Sequence, residues 1–185
     1  TGVGALYRYA VTRDEADFLA YQEAQRVPDA DRRARLELSG PRKDQEVARL
    51  AFIEGGNHPD DAPVMVWSFL YLGRTPYFRR AIEIWTAADA LRDELDAEAH
   101  ALRALIRAGT RMGPALDSVL DRIAAVDARL TDAESDFSAT LGAGARWTRG
   151  AITMGVSLTG LLLVLFGTVL IGRLGREQER ALVLE

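Results

Sequence analysis

The chain has 185 residues, with 27 acidic against 23 basic side chains, two histidines and no cysteine, for a net charge of −4. That length allows one domain with a real core. The lack of cysteine excludes disulfides and thiolate metal sites. The interspersed charge signs exclude the basic stripe that nucleic-acid binding needs.

Gly and Pro divide the first 150 residues into helical stretches. The first runs from about Ala5 to Leu38 and stops at Ser39-Gly40-Pro41. Pro28 is expected to kink it, with Asp29 or Asp31 recapping the second half. A second stretch, from about Arg42 to Leu72, is broken by the loop Gly55-Gly56-Asn57-His58-Pro59. The third starts at Thr75-Pro76, a capping residue followed by a good first-turn residue, and ends at Gly109. The fourth starts at Gly113-Pro114 and meets no strong stop.

Apolar residues in the last two stretches recur at steps of three and four. One stripe is Phe78, Ile82, Trp85, Ala88, Leu91, Leu95, Ala99, Leu102 and Ile106. The other is Leu116, Val119, Ile123, Val126, Leu130, Ala133, Phe137 and Leu141. Such stripes are seams for packing helix on helix. Each stretch comes to roughly 30–35 residues, a rod of ~45–50 Å at helical rise. The expected fold is all-α, an up-down-up-down four-helix bundle over residues 7–146.

Residues 151–172 (AITMGVSLTGLLLVLFGTVLIG) carry no charge and are bracketed by Arg146 and Arg149 before and Arg173, Arg176 and Glu177 after. As a helix this run is ~33 Å long, enough to cross a ~30 Å hydrocarbon core. A transmembrane helix is therefore expected over residues 150–173, followed by the start of a signalling helix over 174–185. Four antiparallel rods return the chain to the membrane. Residues 1–6 (TGVGAL), followed by Tyr7 and Tyr9, accordingly read as the end of a first membrane helix. Three arginines beyond the span against two before it lean toward a cytoplasmic C-terminal stub. The opening Thr1 and the helical pattern still running at Glu185 lead us to expect a longer protein on both sides.

The one dense polar constellation is Asn57, His58, Asp60 and Asp61, followed by the apolar helix that carries Trp67 and ends near Arg74. An imidazole, an amide and two carboxylates within five residues suit a small polar ligand or a divalent cation. They also suit a turn, with Gly-Gly supplying unusual backbone angles and Asp60 and Asp61 favouring the helix dipole. No second histidine near the loop and no EF-hand spacing supports a metal, and no cofactor is expected. Arg74, Arg79 and Arg80 gather at the next turn, where an anion could bind. Catalytic residues are expected to be none: no nucleophile elbow, phosphate loop or paired-carboxylate arrangement is present.

The stretch from Gly55 to Leu95 resembles the periplasmic region of certain proteobacterial membrane-bound sensor histidine kinases. There an Asn-His-Pro-Asp-Asp loop precedes a Met-x-Trp helix, here Met65-Val66-Trp67, and a later Ala-Ile-x-x-Trp, here Ala81 to Trp85. Similar regions also precede diguanylate cyclase domains. The resemblance implies a periplasmic sensor domain at the inner membrane, a homodimer, and a small ligand or partner protein as the cue. It places any kinase activity outside this region. A chemotaxis-type receptor and a membrane-anchored scaffold without an output domain are the alternatives.

Overall fold

The structure, a computed structural model, describes the backbone of residues 2–182 and the side chains of residues 2–150 and 152–166. It is all-helical, with no strand among the described residues. Among the described residues six helices follow one another: α1 (Gly2–Thr12), α2 (Glu15–Ser39), α3 (Gln45–Glu54), α4 (Ala62–Leu72), α5 (Pro76–Arg107) and α6 (Pro114–Leu182). The chain divides into two compact units, Thr1–Leu141 and Gly142–Glu185.

Four rods of equal length do not occur. The first expected rod is broken at Arg13-Asp14, where Arg13 adopts a φ of 57°. Asp14 caps the new helix by accepting from Ala16 N–H at 2.9 Å. α1 then doubles back along α2, since a Cβ on Gly2 would lie 3.3 Å from the Ala24 Cβ. α2 continues through Pro28 to Ser39, so Asp29 and Asp31 cap nothing. The second expected rod is a pair of short helices, α3 and α4. Asp44 caps α3 by accepting from Glu46 and Val47 N–H at 3.0 and 3.1 Å. The turns at both ends of α5 fall where Thr75-Pro76 and Gly109 to Pro114 put them. Gly109, at φ 76°, supplies the left-handed turn after α5.

Two apolar clusters hold the first unit. The larger is built by α1, α2, α5 and α6, and includes Leu6, Tyr9, Phe18, Tyr21, Leu102, Leu116 and Ile123, all essentially inaccessible. Val3, Ala5 and Leu6 of the expected membrane-helix end are buried in this cluster; Thr1 lies outside the described residues. At the tip of the unit, Glu15 gathers the Tyr9 hydroxyl at 2.7 Å and the guanidinium groups of Arg103 and Arg107. These donors, Arg103 foremost, hold its carboxyl at about 2. Arg13 ties the same tip to the α5–α6 turn by donating to the Thr110 carbonyl at 2.6 Å. The smaller cluster is built by α2, α3 and α4 around Leu38, Phe52 and Val66, with Trp85 of α5 packed against it.

In the second unit α6 runs through Gly142, Gly144 and Gly150 without a break. One helix among the described residues, spanning Pro114–Phe166, contains a window long and apolar enough to cross a membrane, none of it buried. Ile152, Met154, Leu158, Leu163 and Phe166 are all more than half exposed, which a core helix of a water-soluble domain would not be. The hydroxyls of Thr153 and Thr159 donate to the carbonyls four residues back, at 2.9 Å. These two hydroxyls are thereby satisfied within the helix, as a hydrocarbon surrounding requires. Of the expected signalling stub, α6 covers 174–182, and residues 183–185 lie outside the described residues.

Candidate functional site

The loop between α3 and α4 is held from within. Asn57 donates its side-chain amide to the Phe52 carbonyl at 2.9 Å and to Asp31 Oδ1 at 3.2 Å. It is thus a strut between this loop and α2, with its amide hydrogens engaged. Gly55 is required by the same approach: a Cβ there would lie 2.3 Å from Asp31 Oδ1. Half-burial pushes the Asp31 carboxyl up to about 6, opposed by the Asn57 hydrogen bond and by Arg92.

Of the other expected site residues, only His58 and Asp60 share a side-chain contact. His58 and Asp60 are largely exposed, and His58 Nδ1 accepts from the Asp60 N–H at 3.2 Å. Asp61 is the N-cap residue of α4, but its side chain makes no capping hydrogen bond. Trp67 is half-exposed and meets Tyr71 in a tilted ring contact, centroids 5.6 Å apart. Arg74 is exposed in the α4–α5 turn. Among the described residues, no three His, Asp or Glu side chains come together to hold a metal ion. The structure thus ties Asn57 to Asp31 and Phe52 in a structural network, and leaves His58 and Asp60 as an exposed local contact.

An apolar concave feature lies elsewhere. A cavity of about 240 Å³ opens between α3, α4, α5 and the adjoining part of α6. Its wall is aromatic and aliphatic, with Phe52, Met65, Phe69, Phe78, Ile82 and Trp85 on one side and Phe137 and Leu141 on the other. Phe69 and Phe78 meet edge to face at 6.3 Å, and Trp85 and Phe137 at 5.8 Å. The α4–α5 turn that closes this end is short because Thr75 donates both its hydroxyl and its N–H to the Leu72 carbonyl, at 2.7 and 2.8 Å. Ser68 is the one polar side chain in the lining, and its hydroxyl has no protein partner among the described residues.

Behind Trp85 lies a belt of charge. Arg35, nearly inaccessible, is ion-paired with the buried Asp89 and donates to Thr86 Oγ1 at 3.1 Å. Its guanidinium also sits 5.9 Å from the Trp85 ring centroid. Arg32 approaches Asp89 at 3.6 Å and pairs with Asp93 at 2.6 Å. Burial, together with Arg32 and Arg92 nearby, pulls Arg35 below its ordinary value. Arg35 Nε, Asp89 Oδ1 and Arg92 Nη1 are buried without a protein partner among the described residues. A second cavity, about 330 Å³ and more polar, reaches this belt at Asp31, Arg92 and Glu134 and shares Trp85 and Phe137 with the first.

Sequence reading named Trp67 where the cavity uses Trp85. The helix α4 is apolar on every side, so its periodicity does not say which face is inward. The signal that was available is Trp85's place in the α5 stripe, at a step of three from Ile82 and seven from Phe78. The chain matches no protein-family model, no curated protein and no solved structure.

Proposed function

We propose that this chain is the extracytoplasmic input region and transmembrane helix of a bacterial signal-transduction receptor, with a two-component sensor histidine kinase as the parent. The observation that supports it is the course of α6. One helix supplies Leu116, Val119, Ile123, Val126 and Leu130 to the larger core and continues into the exposed apolar run. A change in how that helix packs has a covalent path toward the membrane. A cue drives such a change only by binding two arrangements of the domain with different affinity.

The fold reading that goes with this is an up-down bundle of α1, α2, α5 and α6, with α3 and α4 as a short insertion. The shared larger core, the antiparallel α1–α2 pair and the Arg13–Thr110 tie support it. A homodimer in the inner membrane, with the bundle in the periplasm, follows from the receptor reading.

The test is biochemical and uses the full-length protein in membrane vesicles. Vesicles are incubated separately with labelled ATP and with GTP. Acid-labile, base-stable phosphoprotein is the expected product. A cyclic dinucleotide from GTP would replace the kinase by a cyclase output. Neither product would overturn the receptor-enzyme reading and favour a chemotaxis-type receptor or a scaffold.

A further inference from the structure

The cavity between α3, α4 and α5 has the chemistry of a ligand site. Its volume of about 240 Å³ exceeds the roughly 150 Å³ of an apolar cavity that takes up benzene. One aromatic ring with a small substituent fits. No charged side chain among the described residues lines it. An ionised ligand would therefore lose its hydration with nothing in return. Five aromatic side chains, Phe52, Phe69, Phe78, Trp85 and Phe137, offer edges and faces to a flat guest. Ser68 adds a single half-buried hydroxyl that no protein group satisfies. A guest carrying one hydrogen-bonding group would meet it.

We propose that this cavity binds a compact, uncharged aromatic molecule with one hydrogen-bonding group, of the phenol type. The proposal deepens the receptor reading by naming the class of cue. Trp85 would be the element that reports occupancy. Its ring lies between the cavity, the Arg35–Asp89 pair and Phe137 of α6. A guest that shifts this indole changes the packing of α6 at Phe137.

The experiment uses the 185-residue chain in lipid nanodiscs, carrying Trp67→Phe and Trp147→Phe so that Trp85 is the remaining tryptophan. Its fluorescence is titrated with p-cresol, toluene and benzoate. Saturable quenching by p-cresol is expected, with toluene weaker by roughly three- to ten-fold, the worth of one hydrogen bond. Benzoate is expected not to bind. Ser68→Ala should bring p-cresol down to the toluene level and leave toluene unchanged. Ser68→Leu, which fills the cavity from the α4 side, should abolish saturation. Thermal unfolding of both variants checks that the fold persists, and Ser68→Ala alone decides the matter if the leucine variant unfolds. Quenching that rises linearly and equally in the parent and in Ser68→Leu is partition into lipid and overturns the proposal. So does equal affinity for p-cresol, toluene and benzoate. This readout needs no output domain, so its failure is distinct from failure of the nucleotide assay.

Discussion

The two clusters of the first unit are built from different residues, and the difference sets where a site can form. The larger cluster is filled by Leu, Ile, Val, Phe and Tyr side chains from four helices, with Leu6, Phe18, Tyr21, Leu102 and Leu116 wholly inside. The smaller one buries mainly alanines, Ala34, Ala48, Ala51 and Ala62, around Phe52. Alanine lets helices approach but does not fill the space beyond its methyl group. The large residues of α4 and α5, Met65, Phe69 and Trp85, are therefore only partly covered, and they enclose the cavity. Close packing stabilises one region, and its absence leaves the other receptive. A buried ion pair sits at the border between them.

That border gives the largest expected effect. Arg35 and Asp89 keep only 4% and 8% of their side-chain surface exposed. Asp89→Ala leaves a buried guanidinium without its carboxylate and should cost about 3–5 kcal/mol. Replacing the pair by Met and Leu should cost far less, because no charge is left buried. Urea unfolding of the 185-residue chain in detergent measures both. If Asp89→Ala is mild, the belt is open to water and the two clusters are not separated by a desolvated pair.

Next come paired truncations across the comparison. Leu102→Ala, in the filled cluster, should destabilise by about 2–5 kcal/mol through lost contact and a new void. Phe69→Ala, which already borders empty space, should cost only about 1–2 kcal/mol despite the larger side chain. Equal costs would mean that the smaller cluster is as well packed as the larger. Gly55→Ala should follow at about 1–3 kcal/mol, since its methyl would meet Asp31 Oδ1 at 2.3 Å. In an Asp31→Ala background most of that cost should vanish, a coupling that a double-mutant cycle reads directly.

How much of this was legible in the sequence follows from which interactions are local. Thr75-Pro76 and Gly109 to Gly113-Pro114 mark helix ends through their own backbone preferences, and the helices end there. The stripes gave the core positions from Ala88 to Ile106 on α5 and from Leu116 to Ala133 on α6, where one face of each is apolar, while Phe78, Ile82, Trp85, Phe137 and Leu141 line the cavity instead. The break at Arg13-Asp14 carries neither Gly nor Pro. Its signals were weaker: Asp14 as a cap, with Glu15 and Asp17 in the first turn. Asn57 and Asp61 resembled ligands because their sequence neighbours are polar. The real partner of Asn57 is Asp31, 26 positions away, and nothing in the loop announces it. The cavity was illegible for the same reason: Phe52, Ser68, Trp85 and Phe137 meet only through the packing of separate helices.

Asp31 offers the smallest effect and a clean sign. Its carboxyl titrates at about 6 in the folded chain against an ordinary value of 3.8. The folded state therefore holds its proton more tightly than the unfolded state does. Stability contributed by this group is greatest below about pH 4, falls as pH rises from 4 to 6, and is level above that. Half-burial and screening limit the fall to about 1 kcal/mol. Asp31→Asn keeps an oxygen for the Asn57 amide and removes the titration. Relative to the parent, the variant should gain stability between pH 4 and 6 and keep the advantage at pH 7. Unfolding curves for both chains at pH 4, 5, 6 and 7 give the difference directly. A difference that does not change with pH would mean that water reaches the Asp31 carboxyl freely. The strut from the α3–α4 loop to α2 would then lie at the surface, outside the desolvated border between the two clusters.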